Sequence, residues 1–239
     1  MSRRRKNMKK IGFIGAYDKT DFIIYIARIL VALGNKVMVI DSTLNQKAKY
    51  IVPVINPTKE YVTDFEGIDV AVGFDNFESI KDYLGMPQSA VFDYDYMLID
   101  TDSARVLETF GMREADRNFF VTSMDLYSIK KGLEILSGIR ETLPLTKIYF
   151  SKYNYAEEDD YFNYLALGYK VQWDEERIYF PLELGDQNVI YENQRVSKIK
   201  FKKLSSQYKE GLMYIAELLV GEKEVGNLRK VFKQLERGV

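Results

Sequence analysis

The sequence of 239 residues contains neither cysteine nor histidine. The absence of cysteine excludes disulfide bonds, thiol nucleophiles and cysteine-ligated metal sites. The absence of histidine excludes every mechanism in which an imidazole moves a proton or binds a metal. Any chemistry must therefore rest on lysine, carboxylate, hydroxyl or backbone groups, with or without magnesium.

The sequence also lacks a hydrophobic run long enough to cross a bilayer. Its longest apolar stretch, residues 22–33, is interrupted by Arg28 and is shorter than the roughly 20 residues that a membrane-spanning helix needs. The first residues, MSRRRKNMKK, lead into a strand and not into a signal-peptide cleavage site. These patterns predict a cytoplasmic protein.

A net positive charge is found only at the amino terminus. The formal net charge is −1, yet the first ten residues carry six arginines or lysines, so the remainder carries −7. This distribution argues against a broadly basic, nucleic-acid-binding body. The basic arm, residues 1–8, is interpreted either as a solubilising terminus or as a contact for an anionic membrane or nucleic acid.

Strand-like and helix-like segments alternate along the chain, which predicts an α/β fold. We expect a mostly parallel, twisted sheet of about seven strands with helices on both faces, in a Rossmann-like three-layer arrangement. The predicted strands are 10–14, 36–41, 69–74, 94–100, 117–122, 146–151 and 178–182. The predicted helices are 21–33, 76–84, 125–141, 157–167, 204–220 and 226–237. The body is predicted to span 9–222, with a carboxyl-terminal helix in 223–239.

The segment from residue 9 to 43 reads as strand, tight turn, Lys19-Thr20, apolar helix and a second strand that ends on Asp41. This is the layout of a phosphate-binding loop, in which small residues let backbone N–H groups converge on phosphate oxygens. However, Asp18 stands where a glycine is expected before the lysine. Its carboxylate would oppose a phosphate charge by on the order of several kcal/mol.

Six segments in this order resemble the MinD/ParA family of deviant P-loop ATPases. They are IGAYDKTD, VALGNKVMVIDST, YDYMLIDTDS, ADRNFFVTSMDLYSIKKGLEIL, IYFSKYN and IYFPLELGDQNVIYENQ. The resemblance implies a P-loop NTPase fold that binds ATP or ADP, with Thr20, Asp41 and Asp100 holding magnesium. In an active member Lys19, Asp41 and Asp100 would be the catalytic residues. The implied nucleotide contacts are Gly15, Ala16, Tyr17, Asp18, Lys19, Thr20, Asp21, Ser151, Lys152 and Pro181.

The sequence departs from the family where the chemistry lies. The signature lysine of the family corresponds to Ile14, the water-positioning carboxylate to Thr43 and the adenine-reading asparagine to Ser151. Losing the lysine removes a charge that stabilises the transition state of phosphoryl transfer. We therefore expect a CpaE/TadZ-like or otherwise degenerate member, a probable pseudo-ATPase whose hydrolysis is weak or lost.

Three hypotheses of function follow. The first is a positioning or assembly factor that acts through a homodimer and a protein partner, with Ile14 as an apolar contact between the two copies. The second is a working magnesium-dependent ATPase that uses Lys19, Thr20 and Asp100. The third is a nucleic-acid partner that uses the basic arm. In a site that has lost its nucleotide, Lys19 would instead pair with Asp18 or Asp100.

The carboxyl-terminal segment GNLRKVFKQLERGV is a basic amphipathic helix, similar to the short helix with which MinD proteins meet the membrane. The pattern does not decide what the apolar face packs against. A membrane surface, a protein partner and the protein's own surface all remain open. The residues concerned are Leu228, Arg229, Val231, Phe232, Lys233 and Leu235.

A second acidic and aromatic stretch runs from residue 153 to 169. Its four adjacent acids, Glu157, Glu158, Asp159 and Asp160, do not point one way on a helix. We expect a solvated helix amino terminus there, where negative charge is favourable, and not a metal site.

Overall fold

A computed structural model describes residues 8–54, 58–151, 156–181 and 183–238. Within these residues, strands and helices alternate along most of the chain. Their bounds are β1 Lys9–Ile14, α1 Thr20–Ala32, β2 Val37–Asp41, α2 Ala48–Ile51, β3 Tyr61–Phe65, β4 Ile68–Val72, α3 Phe77–Tyr83, β5 Tyr96–Thr101, α4 Ala104–Thr109, β6 Arg117–Ser123, α5 Leu126–Ser137, β7 Leu143–Phe150, α6 Ala156–Leu165, β8 Val171–Phe180, α7 Leu184–Arg195, α8 Ser206–Val220 and α9 Val225–Arg237.

The strands form one sheet in the order β3-β4-β2-β5-β1-β6-β7-β8. All neighbouring pairs are parallel except β3 with β4. The α/β class and the mostly parallel sheet predicted from the sequence are confirmed, with eight strands in place of about seven. Because β1 lies between β5 and β6, the chain order reverses beside it, and such a switch point opens a crevice at the carboxyl ends of the strands.

The additional strand, β3, belongs to a hairpin at the edge of the sheet. It pairs with β4 through a two-residue turn in which Glu66 and Gly67 have φ angles of 53° and 83°. Positive φ at both central positions matches the right-handed twist of the flanking strands. The sequence analysis did not predict this hairpin.

Helices cover both faces of the sheet. Strand β1 and helix α1 illustrate the pattern, since alternate residues of β1 enter different cores: Phe13 packs with α1, α8 and α9, whereas Ile14 packs on the side of α3 to α6. The side chain of Ile14 is fully buried. The predicted apolar contact between two copies through Ile14 is therefore wrong, because the core already occupies that side chain.

The carboxyl-terminal helix α9 packs on the body of the same chain. Leu228, Phe232 and Leu235 are buried in the core shared with α1 and α8, and the Phe232 ring meets Phe201 edge-on at 5.7 Å. Val231 is half-buried, while Arg229 and Lys233 are exposed. Of the three destinations left open for this apolar face, the structure shows the protein's own surface. No helix in the described parts of the chain is long and apolar enough to span a bilayer.

Helix α6 begins in the acidic stretch as expected, but Asp159 is only 1% exposed. Its carboxylate accepts from Lys147 Nζ at 2.7 Å, Tyr149 Oη at 2.6 Å and Asn163 Nδ2 at 2.9 Å. An ion pair with Arg177 at 3.2 Å completes the cluster. The prediction of four solvated acids is therefore wrong for Asp159. Lys147 on β7 is buried and requires a counter-charge, which Asp159 supplies.

Candidate nucleotide site

The loop between β1 and α1 has the shape of a phosphate-binding loop. Gly15 adopts a φ of 141°, and a Cβ at this position would lie 2.2 Å from the backbone oxygen of Val121. Only glycine fits there, because any side chain would collide with strand β6 and would strain the backbone. The Gly15 N–H donates to the Thr101 carbonyl at 3.2 Å, which ties the start of the loop to β5.

Lys19, Thr20 and Asp100 converge at the base of this loop. The Lys19 ammonium lies 2.8 Å from Asp100 Oδ1 and donates to the Gly15 carbonyl at 2.8 Å. The Thr20 hydroxyl donates to the other carboxylate oxygen at 3.3 Å. All three side chains are at least 97% buried. Of the two partners that the sequence offered for Lys19, the structure selects Asp100.

The carboxyl group of Asp100 has an unusual protonation equilibrium. Burial raises its pKa to about 6, and the nearby charge of Asp41 acts in the same direction, while Lys19 opposes both. A buried carboxylate that one lysine only partly compensates is a group that a bound cation would stabilise.

A cavity of about 450 Å³ opens directly above these residues. Its volume is that of a typical small-molecule site. The lining residues are Gly15, Ala16, Tyr17, Asp18, Lys19, Thr20, Thr43, Asn45, Lys47, Tyr50, Asp100 and Asp102. Six predicted nucleotide contacts, residues 15–20, are thus brought together.

Asp41 is held by its own loop. Its Oδ1 accepts from the Thr43 hydroxyl at 2.7 Å and the Thr43 N–H at 3.1 Å, and its Oδ2 accepts from the Ala48 N–H at 2.9 Å. The side chain is fully buried and does not line the cavity. It shapes the segment after β2, and a role in holding magnesium stays a prediction.

A second cavity, of about 210 Å³, adjoins the first across Tyr17, Asp18 and Lys47. The Tyr17 ring stacks on Phe150 with centroids 4.7 Å apart, and Asp21 and Pro181 line the same cavity. Ser151 lines neither cavity, and its N–H donates to the Phe180 carbonyl at 3.0 Å. Lys152 lies outside the described residues.

The sequence analysis missed Lys47. Its ammonium lies 2.6 Å from Asp18 Oδ2 and 2.5 Å from Asp21 Oδ2. Burial lowers the pKa of Lys47, but the charges of Asp21 and Asp18 outweigh it and raise the pKa above its usual value. The available signal was a lysine in the loop after β2, a strand whose carboxyl end reaches the site.

The donor set fits a magnesium–phosphate ligand. The described residues contain no group of three acidic side chains that would hold a metal alone. Magnesium commonly binds through one or two protein oxygens together with phosphate oxygens, and Thr20 and Asp100 present such oxygens at the cavity floor.

The fold was compared with those of known proteins. No protein-family model matches the sequence, and no curated protein matches it. Solved structures match over most of their length. A plasmid partition protein from Borrelia burgdorferi, bound to AMPPNP, has a TM-score of 0.56 at 14% identity, covering 90% of this chain and all of the other. A ParA family ATPase from Chlorobium tepidum has a TM-score of 0.55 at 17% identity, covering 87% and 98%.

A third structure is the MinC:MinD cell division complex of Aquifex aeolicus, with a TM-score of 0.50 at 14% identity over 90% of this chain and 96% of the other. The chain has the fold of the ParA and MinD ATPases. The resemblance predicted from the sequence is confirmed at the level of the fold, and the degenerate character of the site remains a prediction.

Proposed function

We propose that this ParA/MinD-like protein is a positioning or assembly factor that binds a magnesium–nucleotide and hydrolyses it weakly or not at all. The observation that carries the proposal is the convergence of Lys19, Thr20 and Asp100 beneath a 450 Å³ cavity. The AMPPNP bound to the Borrelia burgdorferi protein of the same fold supports a nucleoside triphosphate as the ligand.

Each residue has a distinct task in this proposal. The N–H groups of the loop and the Lys19 ammonium bind phosphate oxygens at the amino terminus of α1. Thr20 and Asp100 hold magnesium, which supplies neutralisation of phosphate charge when it is bound. Three aspartates and two lysines line the cavity, so its formal charge is negative. An anionic ligand without magnesium should therefore bind poorly.

Weak hydrolysis follows from two positions. Ile14 replaces the signature lysine and is fully buried in the core, so no charge extends from it toward the phosphates or toward a second subunit. Thr43 stands in place of the water-positioning carboxylate, and its hydroxyl donates a hydrogen bond to Asp41. Both substitutions remove groups that would act in the transition state of phosphoryl transfer.

The edge of the sheet formed by the carboxyl ends of the strands favours association with another protein, either a second copy or a partner. Leu44, Tyr50, Leu126 and Tyr127 follow the carboxyl ends of β2 and β6 and are 51–80% exposed. Exposed large apolar side chains grouped at one edge are a feature of interaction surfaces. A homodimer through this edge is the arrangement that we propose.

The decisive experiment is isothermal titration with ATP and ADP, each with and without magnesium, alongside ATP turnover at high protein concentration. We expect binding that requires magnesium, loss of that binding in Lys19→Ala, and turnover close to the background rate. Lys49→Ala is the matched control, since Lys49 lies on α2 and does not line the cavity. Absence of any nucleotide binding by the wild type would overturn the proposal.

A second candidate is an active ATPase, which Lys47 specifically favours. Its ammonium lines the cavity and belongs to the same chain, so it could replace the missing signature charge. Brisk turnover that Lys19→Ala and Lys47→Met both abolish would establish this candidate in place of the first.

A further inference from the structure

The acidic loop and its neutralising lysine form one cluster. Lys47 directly precedes the four-residue helix α2 and reaches across to Asp18 and Asp21, at 2.6 and 2.5 Å. Asp21 additionally accepts from Gln194 Nε2 at 2.8 and 3.0 Å. Lys47 is thus the common cation of Asp18 in the loop and Asp21 in α1, and α7 adds a hydrogen bond to Asp21.

Lys19 cannot perform the same task for Asp18. Its ammonium is buried against Asp100 and the Gly15 carbonyl, whereas the Asp18 side chain is 56% exposed and pairs with Lys47. Lys47 is 29% exposed and lines both cavities. Lys47 is therefore the cation that neutralises Asp18 at the wall of the larger cavity.

We propose that Lys47 is a positioning residue that makes an aspartate-bearing phosphate loop compatible with an anionic ligand. Its ammonium offsets the Asp18 carboxylate at the glycine position and fastens the segment after β2 to the loop. This inference rests on the proposed function, because the ligand it concerns is the magnesium–nucleotide. It explains how the chain can retain Asp18 at a position where a carboxylate would otherwise repel phosphate.

A double-mutant cycle tests the mechanism by binding and not by turnover. The variants are Lys47→Met, Asp18→Asn and the pair, titrated with Mg-ADP and Mg-ATP. We expect Lys47→Met alone to weaken binding about tenfold or more, because an unpaired carboxylate then faces the phosphates. Asp18→Asn alone should bind within about threefold of the wild type, and the double variant should recover most of the loss.

Three controls sharpen the cycle. Lys49→Met, two residues further along and on α2, should bind like the wild type. Asp21→Asn should rescue Lys47→Met less than Asp18→Asn does, because Asp21 does not line the larger cavity. In the ligand-free protein, Lys47→Met should raise amide hydrogen exchange in residues 43–50, whereas Lys49→Met should not.

The outcomes separate this inference from the proposed function. A wild-type protein that binds no nucleotide overturns the proposed function, and this inference with it. Binding by the wild type with an unchanged dissociation constant in Lys47→Met overturns this inference alone. A loss that persists undiminished in the Asp18→Asn background contradicts the positioning role and assigns Lys47 to direct phosphate contact. Unchanged hydrogen exchange in Lys47→Met refutes the fastening of residues 43–50.

Discussion

Two buried lysine–aspartate pairs flank the same sheet, and they differ in what surrounds them. Lys19 and Asp100 lie 2.8 Å apart with 2% and 1% exposure, and Lys147 and Asp159 lie 2.7 Å apart with 3% and 1% exposure. Distance and burial alone do not separate them. The first pair lines a 450 Å³ cavity, while the second lies under α6 with the rings of Phe162 and Trp173 about 5 Å from the Lys147 ammonium.

The pairs also differ in how far their carboxylates are satisfied. Burial raises the pKa of Asp159, but hydrogen bonds from Lys147 and Tyr149 and the charges of Lys147 and Arg177 together hold it below its ordinary value. Burial raises the pKa of Asp100 to about 6, and Lys19 does not offset it. A carboxylate saturated by its own chain stabilises a fold, whereas an incompletely compensated one beside a cavity is suited to a ligand.

The largest expected effect concerns the saturated pair. Asp159→Asn should lower the free energy of unfolding by about 3 kcal/mol or more, because it leaves Lys147 buried without its anion. Urea denaturation at neutral pH measures the loss. Asp160→Asn is the matched control, since Asp160 is exposed on the same helix and should change stability by at most about 0.5 kcal/mol. Equal losses of stability in the two variants would show that the buried pair of Lys147 and Asp159 does not stabilise the fold more than an exposed acid does.

The corresponding change at the other pair should act on binding. Asp100→Asn should lower the free energy of unfolding by less than about 1.5 kcal/mol, because the native environment already disfavours the ionised Asp100. Its affinity for Mg-ADP should fall about 100-fold as a magnesium-binding oxygen loses its charge. Calorimetry measures the change in affinity, and urea denaturation measures the change in stability. Strong destabilisation of Asp100→Asn with intact Mg-ADP binding would contradict the assignment of the first pair to ligand binding.

Single hydroxyl deletions sharpen the comparison further. Tyr149→Phe removes the 2.6 Å hydrogen bond to Asp159 and should cost about 1.5–3 kcal/mol of stability, the range for a hydrogen bond to a charged group. Thr20→Val removes a longer bond of 3.3 Å to Asp100 and should cost less than Tyr149→Phe while weakening Mg-ADP binding. Thermal unfolding measures the stability losses, and calorimetry measures the binding. A larger stability loss in Thr20→Val than in Tyr149→Phe would contradict the assignment of the Asp159 pair to fold stability and the Asp100 pair to ligand binding.

The two carboxylates should also respond to pH with opposite sign. Since the pKa of Asp100 is raised in the folded state, its contribution to stability is present below its ordinary pKa of about 4 and is lost as the pH rises to about 6. The stability of the wild type relative to Asp100→Asn should therefore fall between about pH 4 and pH 6.

For Asp159 the folded pKa is lowered, so its contribution is present above the ordinary value and is lost as the pH falls. Urea denaturation across this pH range measures both differences. A wild-type advantage over Asp100→Asn that grows with rising pH would show that Asp100 is ionised more readily in the folded state than in the unfolded one.

The sequence predicted the parallel core of the sheet, because strands buried on both faces carry continuous apolar segments. The resemblance to the MinD/ParA family also implied that Lys19, Thr20 and Asp100 lie together, and the structure brings them together. Strand β3 was missed because its Val-Thr-Asp centre lacks such a segment. The destination of α9 was left open because an amphipathic pattern gives the direction of an apolar face but not what covers it.

The sequence by itself determined the fold class, the phosphate-loop geometry around Gly15 and the set of chemical groups available, because these depend on local patterns and on which residue types are present. Only the tertiary structure decided which charges meet. Lys47 and Asp18 are 29 residues apart, and Lys147 and Asp159 lie on a strand and the helix that covers it. Electrostatic compensation depends on distances of a few ångströms in space, and a linear spacing does not contain them.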